Sequence, residues 1–107
     1  MGAMDAATRR LLAELAAHGQ EHDAREGDHA RRLLNLEPDT AQLVSILVAN
    51  GRRTRLLELG TSNGLSAIWL AHAARPFGGR LISIERDAAK RAQAEVNLRR
   101  AGVLGGW

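Results

Sequence analysis

The segment Gly60-Thr61-Ser62-Asn63-Gly64 carries the residue types and spacing that could do chemistry, and it admits two incompatible kinds. As G-x-S-x-G it would be a hydrolase nucleophile turn, with Ser62 on a sharp strand-to-helix corner and an acid and a histidine following later in the chain. The one histidine after Ser62 is His72, inside the helix that Ser62 would itself introduce. It cannot fold back onto that serine. The match also falls on what reads as the first strand of the sheet, whereas such a turn usually follows several strands, so the hydrolase reading is set aside.

The other kind is nucleoside binding. A strand leading into a glycine turn and then a helix aims backbone N–H groups at a ligand lying across the strand ends. An acid closing the next strand, about 20 residues on, can then accept from both ribose hydroxyls. Gly60 supplies the turn and Glu85 the acid. A dinucleotide fingerprint G-x-G-x-x-G begun at Gly60 would need glycine where Ser62 and Leu65 stand. No Lys-Ser/Thr follows the loop as in a P-loop. Glu58 just before the turn would repel phosphate but tolerates a cation. The ligand that combines a ribose, no phosphate and a positive centre is S-adenosylmethionine.

A second pattern, His18-Gly19-Gln20-Glu21-His22, fits H-x-x-E-H, in which two histidines one helical turn apart bind zinc. No third ligand follows at a recognisable spacing, and Gly19 weakens the helix, so exposed polar residues are the reading preferred. His29 and His72 are read as surface or packed side chains.

The elements that must position the turn are legible around it. Asp5 caps a helix running to about Gln20, with Leu11, Leu12 and Leu15 at helical spacing, and the charged segment beyond continues it or forms a second helix broken near Gly27. Pro38, Asp39 as N-cap and Gly51 at C′ bracket another helix, with Leu43, Ile46, Leu47 and Asn50 on one face and Val44 and Val48 widening it. Arg55 to Leu59 reads as a buried strand, Leu65, Ile68, Trp69 and Ala73 as a helix, and Arg80 to Glu85 as a second strand. A long helix follows, with Asp87 as cap, Val96 and Leu98 inward and Gly102 as stop. The fold class is therefore α/β: N-terminal helices (1–51, a helical cap region) and then a right-handed βαβα unit (52–107), the opening of a doubly wound Rossmann-like sheet.

Composition bounds the rest. With 107 residues, 45% apolar and 25% charged, the chain is one globular domain, and no apolar run approaches the roughly 18 residues of a membrane span. There is no signal-like apolar stretch at the start and no cysteine, so a cytoplasmic location without disulfides or thiolate metal sites is expected. Net charge +3, with Arg52, Arg53 and Arg55 clustered, raises a basic, non-enzymatic RNA-binding module as the alternative function. One Phe, two Trp and no Tyr offer little for stacking bases, which disfavours nucleic acid.

Taken together, "LLELGTSNGLSAIWLA", "GGRLISIERD" and "NLRRAGV" resemble the opening of the class I SAM-dependent O-methyltransferases, in particular the catechol and caffeoyl-CoA type. "ARRLLNLEPDTAQLVSILV" is similar to the family's helix that precedes strand one and helps cover the cofactor. The resemblance runs from about Arg31 to Val103. It implies that Glu58 supports the loop and the aminoacid end of S-adenosylmethionine, with Gly60 the turn beneath. Ser62, Gly64 and Ser66 would line the methionine part, Glu85 would hold the ribose, and Arg86 would lie beside the adenine. It further implies a fold of about seven strands, so this sequence is read as truncated after the second strand and its helix. On that reading the small-molecule acceptor's seat and the acids that hold a divalent metal in catechol-type enzymes fall on later strands. The chain alone is then expected to be inactive and a homo-oligomer, pairing through apolar strand faces and through Leu104 and Trp107.

Overall fold

The computed structural model describes residues 4–103. Leu104 and Trp107 lie outside the described residues. Helix α1 (Ala6–Arg25) begins where Asp5 accepts a hydrogen bond from the Thr8 N–H at 2.7 Å, and it runs into the charged segment as far as Arg25, beyond which a short 3-10 turn spans His29–Arg31. Helix α2 (Pro38–Asn50) starts two residues earlier than Asp39 as N-cap would dictate. Pro38 takes the first helical position, where its fixed φ suits the helix and its missing N–H costs nothing. The residue before a proline is pushed to extended backbone, so Glu37 becomes the cap and Asp39 sits in the first turn. Gly51 has an ordinary helical φ of −82°, and Arg52 instead takes the left-handed conformation, φ +49°.

Strands β1 (Arg55–Leu59) and β2 (Arg80–Ile84) pair in parallel, Arg55 beside Arg80 and Leu59 beside Ile84, with α3 (Leu65–Ala74) connecting them. Helix α4 (Ala88–Arg100) follows β2, its Asp87 cap accepting from the Ala89 and Lys90 N–H groups. Gly102 ends it with φ +72°. The order helix, helix, β1, α3, β2, α4 is the expected α/β arrangement.

The core lies on one side of the sheet. Leu11, Leu12 and Leu15 of α1 meet Leu65, Ile68 and Ala71 of α3, Leu81 of β2, and Ala94 and Leu98 of α4. Alternation along each strand sends Leu56, Glu58, Leu81 and Ser83 toward this side and the intervening residues away. Leu57, Leu59, Ile82 and Ile84 are accordingly 66%, 77%, 65% and 54% exposed, a bare apolar sheet face.

Two inward assignments differ from expectation. Helix α2 buries Ala41, Ser45 and Val48, while Leu43, Ile46 and Leu47 face out. Small residues let α2 lie close against α3, and a hydrophobicity count cannot distinguish that face from its bulkier neighbour. On α4, Leu98 is buried but Val96 is exposed, because Ala94, Asn97 and Leu98 form the stripe that meets α1 and the turn.

Candidate cofactor-binding site

The site forms where both strands end. Beyond Leu59 the Gly60 N–H donates to the Ile84 carbonyl at 2.8 Å and the Thr61 N–H to the same oxygen at 3.2 Å, so the turn is stitched to the end of β2. Three consecutive even-numbered residues, Gly60, Ser62 and Gly64, have positive φ of 92°, 51° and 96°. A Cβ on Gly60 would meet nothing within 4 Å, so the turn opens onto unfilled space. A Cβ on Gly64 would lie 3.2 Å from the Ala94 Cα, so this glycine permits the close approach of α4. Gly64 is also the N-cap of α3, and it has no side chain to occupy that helix's first-turn N–H groups.

Glu85 stands half-buried immediately after β2 and grips the turn. Its Oε1 accepts from the Ser62 N–H at 2.8 Å and its Oε2 from the Asp87 N–H at 3.0 Å. Each carboxylate oxygen has a second lone-pair site, so the group can still accept from a ligand's hydroxyls. Arg86 is exposed next to it.

Glu58, on the helix-covered face, accepts from the Ser66 hydroxyl at Oε2 and from Ser83 Oγ at Oε1, the latter at 2.7 Å. Burial pushes its carboxyl above the ordinary value, and the Ser66 and Ser83 hydrogen bonds pull in the opposite direction. Ser62 Oγ donates to the Leu33 carbonyl at 2.7 Å. The hydroxyl protons of Ser62 and Ser66 and the Ser62 N–H are therefore committed within the protein.

No motif marked the strap over this turn. Asp23 at the end of α1 accepts from the Leu33 and Leu34 N–H groups at 2.7 and 2.8 Å, and Lys90 Nζ donates to the Arg32 and Ala30 carbonyls at 2.7 and 3.2 Å. Burial pushes the Asp23 carboxyl up, but hydrogen bonds from Leu33, His22 and Leu34 outweigh it, and the carboxyl is held below its ordinary range. Thr61 and Ser83 were likewise missed. Each is unremarkable in sequence, and only the strand register brings them together. His18 and His22 lie one turn apart on α1 with ring centroids 6.1 Å apart, and His22 Nδ1 is 3.1 Å from Asp23 Oδ1. Among the described residues no three His, Cys, Asp or Glu side chains cluster as a metal site.

A strand, a glycine turn open above, a helix with an uncapped start and a carboxylate at the end of the adjacent parallel strand make the arrangement seen in nucleoside-binding α/β folds. No family model matches the chain. A catechol O-methyltransferase of Niastella koreensis is 37% identical over 70 residues, 65% of this chain and 31% of the relative. The catechol O-methyltransferase of Mycobacterium tuberculosis is 49% identical over 49 residues, 46% of this chain and 22% of that protein. Among solved structures, an O-methyltransferase of tomaymycin synthesis from Streptomyces achromogenes, in complex with SAM, superimposes with a TM-score of 0.73 at 31% identity, over 90% of this chain and 40% of that one. An O-methyltransferase from Bacillus cereus in complex with SAH gives 0.70 at 25% identity, over 89% and 40%. In sequence and in fold the chain is therefore similar to a part of these SAM-dependent O-methyltransferases. It spans less than a third of the length of the curated relatives it matches.

Proposed function

We propose that this chain is the methyl-donor-binding portion of a SAM-dependent O-methyltransferase acting on a small-molecule hydroxyl. The observation that carries the reading is the pairing of an open Gly60 turn with Glu85, whose carboxylate holds the turn through Ser62 and keeps lone pairs free for a ribose. The fit extends to the methionine end: Glu58 lies beneath the turn, and among the described residues it has no cationic side chain in hydrogen-bond contact. Backbone groups of Ser62, Gly64 and Ser66 line this end in the proposal, and Arg86 flanks the adenine. Methyl transfer asks mainly for alignment of an acceptor oxygen with the sulfonium methyl, and the rate comes from proximity and orientation. This chain's share is to seat and orient the donor. The acceptor, and the divalent metal of catechol-type enzymes, belong in this reading to other parts of a parent protein.

The proposal includes self-association in the cytosol. Parallel strands are characteristically covered on both faces, and here Leu57, Leu59, Ile82 and Ile84 lie open. No helix among the described residues is long and apolar enough to cross a membrane. A second copy laid face to face would cover the patch.

Calorimetry with S-adenosylhomocysteine tests the cofactor reading. Glu85→Ala should weaken binding by roughly 1 to 3 kcal/mol, the cost of leaving hydrogen-bonding groups unpaired. Equal affinity for wild type and variant would remove the ribose assignment.

A further inference from the structure

Thr61, Ser66 and Ser83 surround Glu58 with three hydroxyls, and the order of their protons can be worked out. Ser83 is the cross-strand partner of Glu58 in the parallel register, and its Oγ donates to Glu58 Oε1 at 2.7 Å. Thr61 Oγ1 is hydrogen-bonded to the same Ser83 Oγ, and Thr61 is only 1% exposed. A hydroxyl carries one proton. Ser83 gives its proton to Glu58, so Thr61 must be the donor in the bond between the two hydroxyls. The chain then runs Thr61 to Ser83 to Glu58, while Ser66 gives its proton to the other carboxylate oxygen. An ionised carboxylate accepts at both oxygens at once.

We propose that Ser83, with Thr61 behind it, is a positioning residue of the cofactor site, fixing Glu58 as an oriented carboxylate beneath the glycine turn. This rests on the cofactor reading of that turn. The structure shows what the two hydroxyls must overcome, since burial alone favours the neutral acid at Glu58. The Ser66 and Ser83 hydrogen bonds oppose burial, and do so without a countercharge. Ser66 of α3 and Ser83 of β2 are the groups that meet Glu58 from the elements packed on it. The neighbouring acid, Glu85, is occupied by the Ser62 and Asp87 N–H groups, and His72, the one histidine of α3, acts on Asp5. Once ionised, Glu58 is a negative charge without a cationic partner, held in place at the end of the site meant for the cationic methionine part. Its effect should be confined to that end.

The test uses the 107-residue chain as wild type, Ser83→Ala, Ser83→Thr and Thr61→Val. Carbon NMR of the Glu58 carboxyl gives its titration midpoint without any ligand. Calorimetry compares SAM with 5′-methylthioadenosine, which keeps the adenosine and lacks the aminoacid end. Ser83→Ala should raise the Glu58 midpoint and weaken SAM about tenfold, the scale of one lost hydrogen bond to a charged group, with 5′-methylthioadenosine unchanged. Thr61→Val should do the same more weakly, and Ser83→Thr should restore both. An unchanged midpoint in Ser83→Ala, or equal weakening of the two ligands, would overturn the proposal. Should wild type bind neither ligand, the cofactor reading fails by itself and the Glu58 midpoint still decides whether Ser83 positions the carboxylate.

Discussion

Gly60 and Gly64 differ in one respect that a pair of alanine substitutions isolates. Both have strongly positive φ, 92° and 96°. An alanine at either should therefore cost about 1 to 2 kcal/mol for the left-handed backbone alone. At Gly60 the new methyl meets nothing within 4 Å, and that backbone cost is the whole effect. At Gly64 it meets the Cα, Cβ and carbonyl oxygen of Ala94 at 3.2, 3.4 and 3.4 Å, two of them backbone atoms that cannot swing aside. Ala94 is fully buried on α4, so relief requires the helix to move. Overpacking of a close contact typically adds about 1 to 3 kcal/mol. Gly64→Ala should then lose roughly 2 to 5 kcal/mol against roughly 1 to 2 for Gly60→Ala. Urea unfolding followed by far-ultraviolet circular dichroism measures both, with similar slopes expected. Equal losses would mean that α4 is not seated against the turn.

Other perturbations follow from the same contacts. Burial holds the Glu58 carboxyl above 4.5, so its contribution to stability is fully present below that value and is lost as pH rises through the elevated one; Glu58→Gln should flatten the decline in a pH series of unfolding curves. Asp23 shifts the other way from its ordinary 3.8, so its contribution is present above that value and fades as pH falls through the lowered one. Asp23→Asn should abolish that acid limb and speed amide exchange at Leu33 and Leu34, which hydrogen–deuterium exchange would register. Leu57→Lys with Ile82→Lys should dissociate any self-associated form in sedimentation at several concentrations, and unchanged association would rule out the bare sheet face as the contact.

What could be read from the sequence was local. Asp5 and Asp87 are caps that bond N–H groups two or three residues away, and both strands end in the punctuation seen in the chain, glycine after Leu59 and the Asp87 cap soon after Ile84. Gly60 and Glu85 were legible because the βα turn and the strand-end acid are each a short pattern at a known interval. Choices between faces were less so. On α2 apolar residues occur all round, and Ala41, Ser45 and Val48 won the interior because they are small enough for α3 to approach. Contacts made by register or by a folded-back loop were not legible at all: Ser83 meets Glu58 across 25 residues, and Lys90 reaches the Arg32 carbonyl across 58.

In the proposed function, the Gly60 turn and Glu85 form one seat for the adenosyl group of S-adenosylmethionine. Backbone amide NMR of the chain titrated with S-adenosylhomocysteine tests it most directly, because every group involved reports separately. Saturable shifts should concentrate at Gly60 to Ser66 and at Glu85 to Asp87, extend to Leu33 and Leu34 through the Ser62 contact, and require a higher ligand concentration in Glu85→Ala. Saturable shifts clustered elsewhere, for instance between α1 and α4 around His18 and Gln93, or an unperturbed spectrum at millimolar ligand, would contradict the account.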